Sequence, residues 1–151
     1  MELDSHADTC AFGGDCLVVQ DTGTQVTVEP FAASLGSMAK VPVVTVAVAY
    51  DDPTTFNTFV LFFHQVLHVP SLTTHLLAPF QMRNHGVVIR ECPLLHTEVE
   101  DWRESTHTIS VPEADLSMPL CLKGTMSGVT VRKPTWAEVN DTEQHEVTHV
   151  I

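Results

Sequence analysis

A chain built mostly of β-strands with one short helix is predicted by three observations. Residues 41–50 are rich in valine and residues 56–69 in aromatic and branched side chains, which suit a pleated, buried surface. Asp51-Asp52-Pro53 between them is a turn signal, since aspartate bonds its own backbone and proline presets φ. A helix-like spacing is confined to residues 72–84. Neither strand run alternates sharply, so both are expected to be buried on two faces.

Taken in order, residues 12–28 read as a hairpin. Strand-like runs at 16–20 and 24–28 flank Asp21-Thr22-Gly23, whose glycine suits a turn. Residues 29–40 show no clear period. After the two strong strands, Pro70-Ser71 breaks the extended course. Apolar residues at 72, 76, 77 and 80 predict a short helix with Pro79 inside it and Asn84-His85-Gly86 as its stop. Residues 87–89 follow as a short strand and 92–107 as an acidic surface loop. Further short strands are expected over 108–111 and 116–131, interrupted by prolines and by Gly124 and Gly128. From Pro134 the chain is polar and acidic. Residues 1–133 are therefore read as one folded domain and 134–151 as a tail without fixed structure.

The charge balance narrows the partners. Lys and Arg total 7 against 19 Asp and Glu, a formal net charge of −12. Such a surface repels phosphate backbones and anionic lipid, so neither nucleic acid nor membrane is expected as a partner. No signal-peptide pattern and no bilayer-length apolar run occurs. Cys10, Cys16, Cys92 and Cys121 lack Cys-x-x-Cys spacing and read as reduced thiols, which places the chain in the cytoplasm.

The chemistry concentrates at the start of the chain. Leu3-Asp4-Ser5-His6-Ala7-Asp8 sets a carboxylate before a hydroxyl, on a tight loop leading into small and apolar residues. Such a carboxylate can hold a water ready to attack a peptide bond. Two of them facing each other share one proton, because like charges about 3 Å apart cannot both ionise. One copy of the loop is present, and a symmetric homodimer would supply the second.

Two stretches together resemble a family. Leu3-Asp4-Ser5-His6-Ala7 resembles the Asp-Ser/Thr-Gly-Ala/Ser loop of retroviral-type aspartic proteases. Gln65-Val-Leu-His-Val-Pro-Ser-Leu-Thr-Thr-His-Leu-Leu-Ala78 is similar to a segment, "NVLYVPxLxxNLLS", of proteases in copia-type retrotransposon polyproteins. The resemblance covers roughly residues 3–89. It implies an all-β, retropepsin-like (acid protease) β-barrel with one short helix and one lobe per chain. It further implies a homodimer, cleavage of polyprotein peptides and no cofactor. By the same resemblance Asp4 is the catalytic aspartate, and Ser5, His6 and Ala7 form its supporting loop. The flap closing over bound peptide would come from Glu29, Pro30, Phe31, Gly36 and Met38. Two departures stand out. His6 replaces the usual glycine, adding bulk and a titratable group, and the N-terminal strand expected before the aspartate is missing or very short.

Other residues admit other chemistry. Asp21-Thr22-Gly23 is the literal aspartic-protease tripeptide, yet it reads better as a turn. Asp4 and Asp21 are too close in sequence to belong to two fused lobes. His145-Glu146-Val147-Thr148-His149 matches His-Glu-x-x-His; on a helix its histidines would share a face and bind zinc, with Glu146 activating water. It lies in the expected tail and has no downstream third ligand. His6 and Asp8 share a strand face as two-thirds of a metal triad, although Asp8 reads better as a loop cap. His64 and His68 are expected on one strand face, about 13 Å apart and too far for one ion. Cys10 and Cys16 read as small buried side chains. No metal is expected.

Three functions follow. The first is a homodimeric aspartic endopeptidase using Asp4 of each subunit. The second is a zinc peptidase built on His145, Glu146 and His149. The third is a non-catalytic retropepsin-fold module for peptide binding or dimerisation.

Overall fold

A computed structural model describes residues 1–29, 34, 36–93, 106–140 and 146–151. The valine-rich and aromatic runs are strands β4 (Met38–Asp51) and β5 (Thr58–His68), paired antiparallel from Val43–Leu67 to Asp51–Thr58. Asp52 closes the turn between them, with Oδ1 accepting from the Thr54 amide at 2.8 Å and Oδ2 from the Thr55 hydroxyl at 2.9 Å. Residues 44–50 and 59–63 are buried throughout, so both strands are covered on two faces as their composition implies.

Around this pair run β1 (Glu2–Leu3), β2 (Ala11–Phe12), β3 (Leu17–Val28), β6 (Leu76–Leu77), β10 (Cys121–Lys123), β11 (Met126–Gly128) and β12 (Glu146–His149). The sheet order is β10-β11-β1-β6-β2-β5-β4-β3, with β12 also on β5. A second sheet holds β7 (Val88–Glu91), β8 (His107–Val111) and β9 (Leu116–Pro119) in that order. The chain is all-β in character, with short helices α1 (Pro79–Asn84) and α2 (Trp136–Asn140) where one was expected. Among the described residues β10 and β3 are not joined, so the sheet does not close into the expected barrel.

The main core contains Phe12, Leu61, Phe63, Val66, Leu77, Met82, Ile109 and Met118, all essentially inaccessible. Each such side chain contributes about 1.5–3 kcal/mol on burial. A smaller cluster of Ala47, Val60, Phe62 and Val139 packs with Leu17 and Val19, which places α2 over the β4–β5 pair.

Several local readings are corrected. Residues 12–28 are not a hairpin, because β3 is one continuous strand paired along β4. Asp21-Thr22-Gly23 is a bulge within it, where the register shifts between Asp21 and Thr24. Gly23 takes φ 75° there, and its amide donates to Asp21 Oδ1 at 2.8 Å. A bulge and a turn demand the same residues, so composition could not separate them.

The helix expected over 72–84 starts only at Pro79. A residue before proline avoids the helical region, and Ala78 is extended at φ −86°, ψ 105°. That leaves residues 76–77 free to form β6.

His64 and His68 do not share a face. Gln65 adopts φ 53° at an irregularity in the β4–β5 register, and the core face runs Phe59, Leu61, Phe63 and then Val66. The alternation changes phase between the two histidines.

The stretch expected as a structureless tail carries both α2 and β12. Thr135 caps α2 reciprocally: its hydroxyl accepts from the Glu138 amide at 3.2 Å, and its own amide donates to Glu138 Oε2 at 2.7 Å. Arg132 then bridges Glu138 and Asp51, donating at 2.6 Å and 2.8 Å. Strand β12 lies parallel to β5 with Glu146 opposite Phe59 and His149 opposite Phe62.

Candidate functional site

The two stretches that carry the family resemblance meet in space. β1 and β6 pair in parallel, Glu2 with Leu76 and Leu3 with Leu77, and the Asp4 amide donates to the Leu77 carbonyl at 2.8 Å. The chain then turns. Asp4 Oδ1 accepts the His6 amide at 3.0 Å, and the Asp4 carbonyl accepts the Ala7 amide at 3.2 Å. This fixes the carboxylate at the end of a strand rather than on a free loop.

The Asp4 side chain keeps 32% of its accessibility and His6 keeps 96%. His6 Nδ1 stands 4.0 Å from Asp4 Oδ1, so a protonated imidazole would form a loose ion pair with the carboxylate. Together with Ser5 they border an open cavity of about 240 Å³. Its other wall is Glu91 and the segment Thr125-Met126-Ser127. Glu91 is neutralised by Arg83 at 2.6 Å. Ser127 Oγ lies 2.8 Å from Nε2 of the buried His107, whose pKa burial lowers.

Helix α1 braces the loop from behind. Gln81 Oε1 accepts the Cys10 amide at 2.8 Å, and Cys10 Sγ accepts the Ala78 amide at 3.2 Å. Burial pushes the Cys10 thiol up to about 11, which removes it as a nucleophile at neutral pH. Cys16 is also buried, and its thiol donates to the Gly13 carbonyl at 3.2 Å. Both behave as the small buried side chains expected from sequence.

His75 is a functional-looking residue with a structural task that the sequence did not reveal. It is 6% exposed, accepts the Gly13 amide on Nδ1 at 3.1 Å, and stacks on Phe12 with centroids 4.8 Å apart. An acceptor at Nδ1 requires the neutral ring, and burial accordingly lowers its pKa. Gln81 and His107 were likewise missed. Their roles depend on partners 71 and 20 residues away, which no local pattern encodes.

The remaining candidates are scattered. Asp21 is exposed on β3, separated from β1 by β6, β2, β5 and β4. Glu29, Gly36 and Met38 lie at the tip of the long β3–β4 hairpin and are exposed; Pro30 and Phe31 fall outside the described residues. Of the His-Glu-x-x-His motif, His145 also falls outside them, while Glu146–His149 is strand, so the helical face that would gather its ligands is not formed. Among the described residues no three His, Cys, Asp or Glu side chains converge as metal ligands. None of the described helices is long and apolar enough to cross a membrane.

The second edge of β1 is covered as well. β11 pairs antiparallel with β1, Gly128 opposite Glu2, and the Val129 amide donates to the Met1 carbonyl at 2.9 Å. A larger cavity of about 490 Å³ lies by Tyr50, Pro119 and Val131, away from Asp4 and with Arg132 already committed to carboxylates.

Comparison with known proteins returns no match from family models, curated proteins or solved structures.

Proposed function

We propose that this chain is one subunit of a homodimeric, retropepsin-like aspartic endopeptidase acting on polyprotein peptides. The observation that carries the reading is the parallel β1–β6 pair. It brings together two motifs about 70 residues apart and leaves the Asp4 carboxylate open at a cavity mouth. In the dimer two Asp4 carboxyls share one proton. The ionised one takes a proton from water as it attacks the scissile carbonyl, and the protonated one donates to the carbonyl oxygen. Ser5 braces the paired loops, and the β3–β4 hairpin supplies the flap.

The test is Asp4→Asn. It preserves shape but abolishes the shared proton, so cleavage of a peptide library should fall by at least about a thousandfold while folding survives. Asp21→Asn should change cleavage less than twofold. Activity that survives Asp4→Asn overturns the aspartic reading.

A second reading rests on His6. An imidazole that is 96% exposed beside Asp4 occupies the place where glycine would let a peptide backbone approach, which favours a non-catalytic peptide-binding or dimerisation module. A parent protein that dimerises and binds peptides without cleaving them, and gains cleavage with His6→Gly, would support that alternative.

A further inference from the structure

We propose that His64 and His149 form an acid-sensitive latch that holds β12 against β5. His64 Nε2 lies 2.8 Å from His149 Nδ1, and His64 Nδ1 lies 3.2 Å from the Thr45 hydroxyl. The rings are 12° from parallel with centroids 5.1 Å apart, so the nitrogens meet nearly head-on. Opposed lone pairs in that arrangement share a proton and do not converge on a metal ion.

The contact has room for one proton. When both rings are neutral, one N–H donates to the lone pair of the other ring. When one is charged, the bond survives and is charge-assisted. When both are charged, two N–H groups confront each other and like charges repel. Such a pair titrates as a unit in two separated steps, and only the second opens the latch. Burial and the neighbouring His149 lower the His64 pKa in agreement with this order.

His149 is exposed, so water solvates part of the second charge, and the nearest side chains add little to that. β4 contributes the uncharged Thr45, and the Phe62 ring lies beside both imidazoles. On the α2 side, Glu138 is held by Arg132; on β3, Asp21 is bonded to the Gly23 amide; on β5, His68 lies beyond the bulge. Among the described residues no carboxylate is bonded to either ring, and the main-chain carboxylate of Ile151 takes the His64 backbone amide instead.

The latch guards two backbone bonds. The Val150 amide donates to the Phe62 carbonyl at 2.8 Å and the His64 amide to a main-chain carboxylate oxygen of Ile151, the last residue, at 2.9 Å. Val150 and Ile151 are 1% and 8% exposed and belong to the main core. β2 covers β5 only at Leu67 and His68, so release of β12 bares the edge of β5 from Phe59 to His64.

Amide hydrogen exchange, followed by NMR between pH 7.5 and 5.0 and expressed as protection factors, reads this directly. Protection of the His64 and Val150 amides should fall about tenfold for each pH unit by which the second step is depressed. The Leu67 and Val69 amides, bonded to the Cys10 and Phe12 carbonyls, should lose no more than the global stability does over the same range. His149→Gln should remove the part of the His64 amide's pH dependence that exceeds that of Leu67 and Val69, because an amide bonds His64 in either state without adding charge. Parallel loss at all four amides, or unchanged protection at His64 and Val150, overturns the proposal. If His149→Gln does not fold, the imidazole titrations of the parent chain decide. Two separated steps support the latch, and two independent titrations near the ordinary value overturn it.

Discussion

Gln81 on α1 accepts the amide proton of Cys10 at 2.8 Å, which ties the helix to the loop that leaves Asp4. Gln81→Leu keeps the side chain's bulk and removes the acceptor, leaving that amide unpaired in a partly buried place. Urea unfolding should show a loss of about 1–3 kcal/mol. Gln81→Glu retains an acceptor and should cost distinctly less. Equal losses in the two variants would show that the bond is not what holds the loop.

Gly13 is constrained by contact rather than by dihedral freedom. A Cβ at this position would stand 2.2 Å from the Leu72 carbonyl oxygen, and that carbonyl belongs to backbone fixed by the Leu72 amide bond to Val69. Gly13→Ala should destabilise by about 3 kcal/mol or more, through overpacking that no side chain can relieve. Gly14→Ala meets the Pro70 carbonyl oxygen at 3.3 Å and should be milder. Denaturation midpoints that rank the two variants the other way would contradict this.

Buried neutral histidine makes stability fall with acid. Burial lowers the pKa of His75, so below its ordinary value of 6.5 the unfolded chain binds a proton that the folded chain refuses. Its contribution is complete above pH 6.5 and is lost as pH falls through the lower folded value. His64, His68 and His107 are shifted in the same direction, chiefly by burial. Urea midpoints should therefore decline from pH 7.5 to pH 5, and His75→Gln should flatten part of that slope while lowering the plateau. Glu138 acts in a lower window: Arg132 brings its carboxyl down from 4.5 to about 2, so its share is lost only as pH falls through that range.

In the proposed homodimer, half a site per subunit would make activity depend on association. If two Asp4 carboxyls form the proposed dyad, specific activity should collapse on dilution, in step with the dimer fraction seen by sedimentation. Constant specific activity from a species that sediments as a monomer would exclude it.

Much of the architecture was legible because the residues that build it act locally. Valine over 43–48 and phenylalanine at 59, 62 and 63 announce buried strands wherever they occur. Asp52-Pro53 announces the turn. The bulge at Asp21-Thr22-Gly23 was read as a turn because both need a glycine at positive φ and an aspartate bonding forward. The α2 cap was open to view in Thr135-x-x-Glu138, yet the polar surroundings masked it. Strand β12 was beyond reach, since its pairing with β5 spans 87 residues and joins segments with no shared local pattern. The Asp4 loop was legible as a candidate site from its residue types alone. Its bracing by Leu77, Cys10, Gln81 and His75 was not, because each contact is made across more than 60 residues or through a fold that sequence does not display.

The placement of β11 and β12 also sets a timetable for synthesis. β1 cannot complete its second edge until Gly128 has been made, and the Phe59–Phe62 edge of β5 waits for Glu146–His149. At about 5–20 residues per second, the nascent chain carries an unpaired β1 edge for roughly ten seconds. Pairings of such long sequence separation are slow to form, and open strand edges recruit one another between chains. Crowding of nascent chains on a shared message therefore threatens this fold most during that interval, before the last two strands arrive.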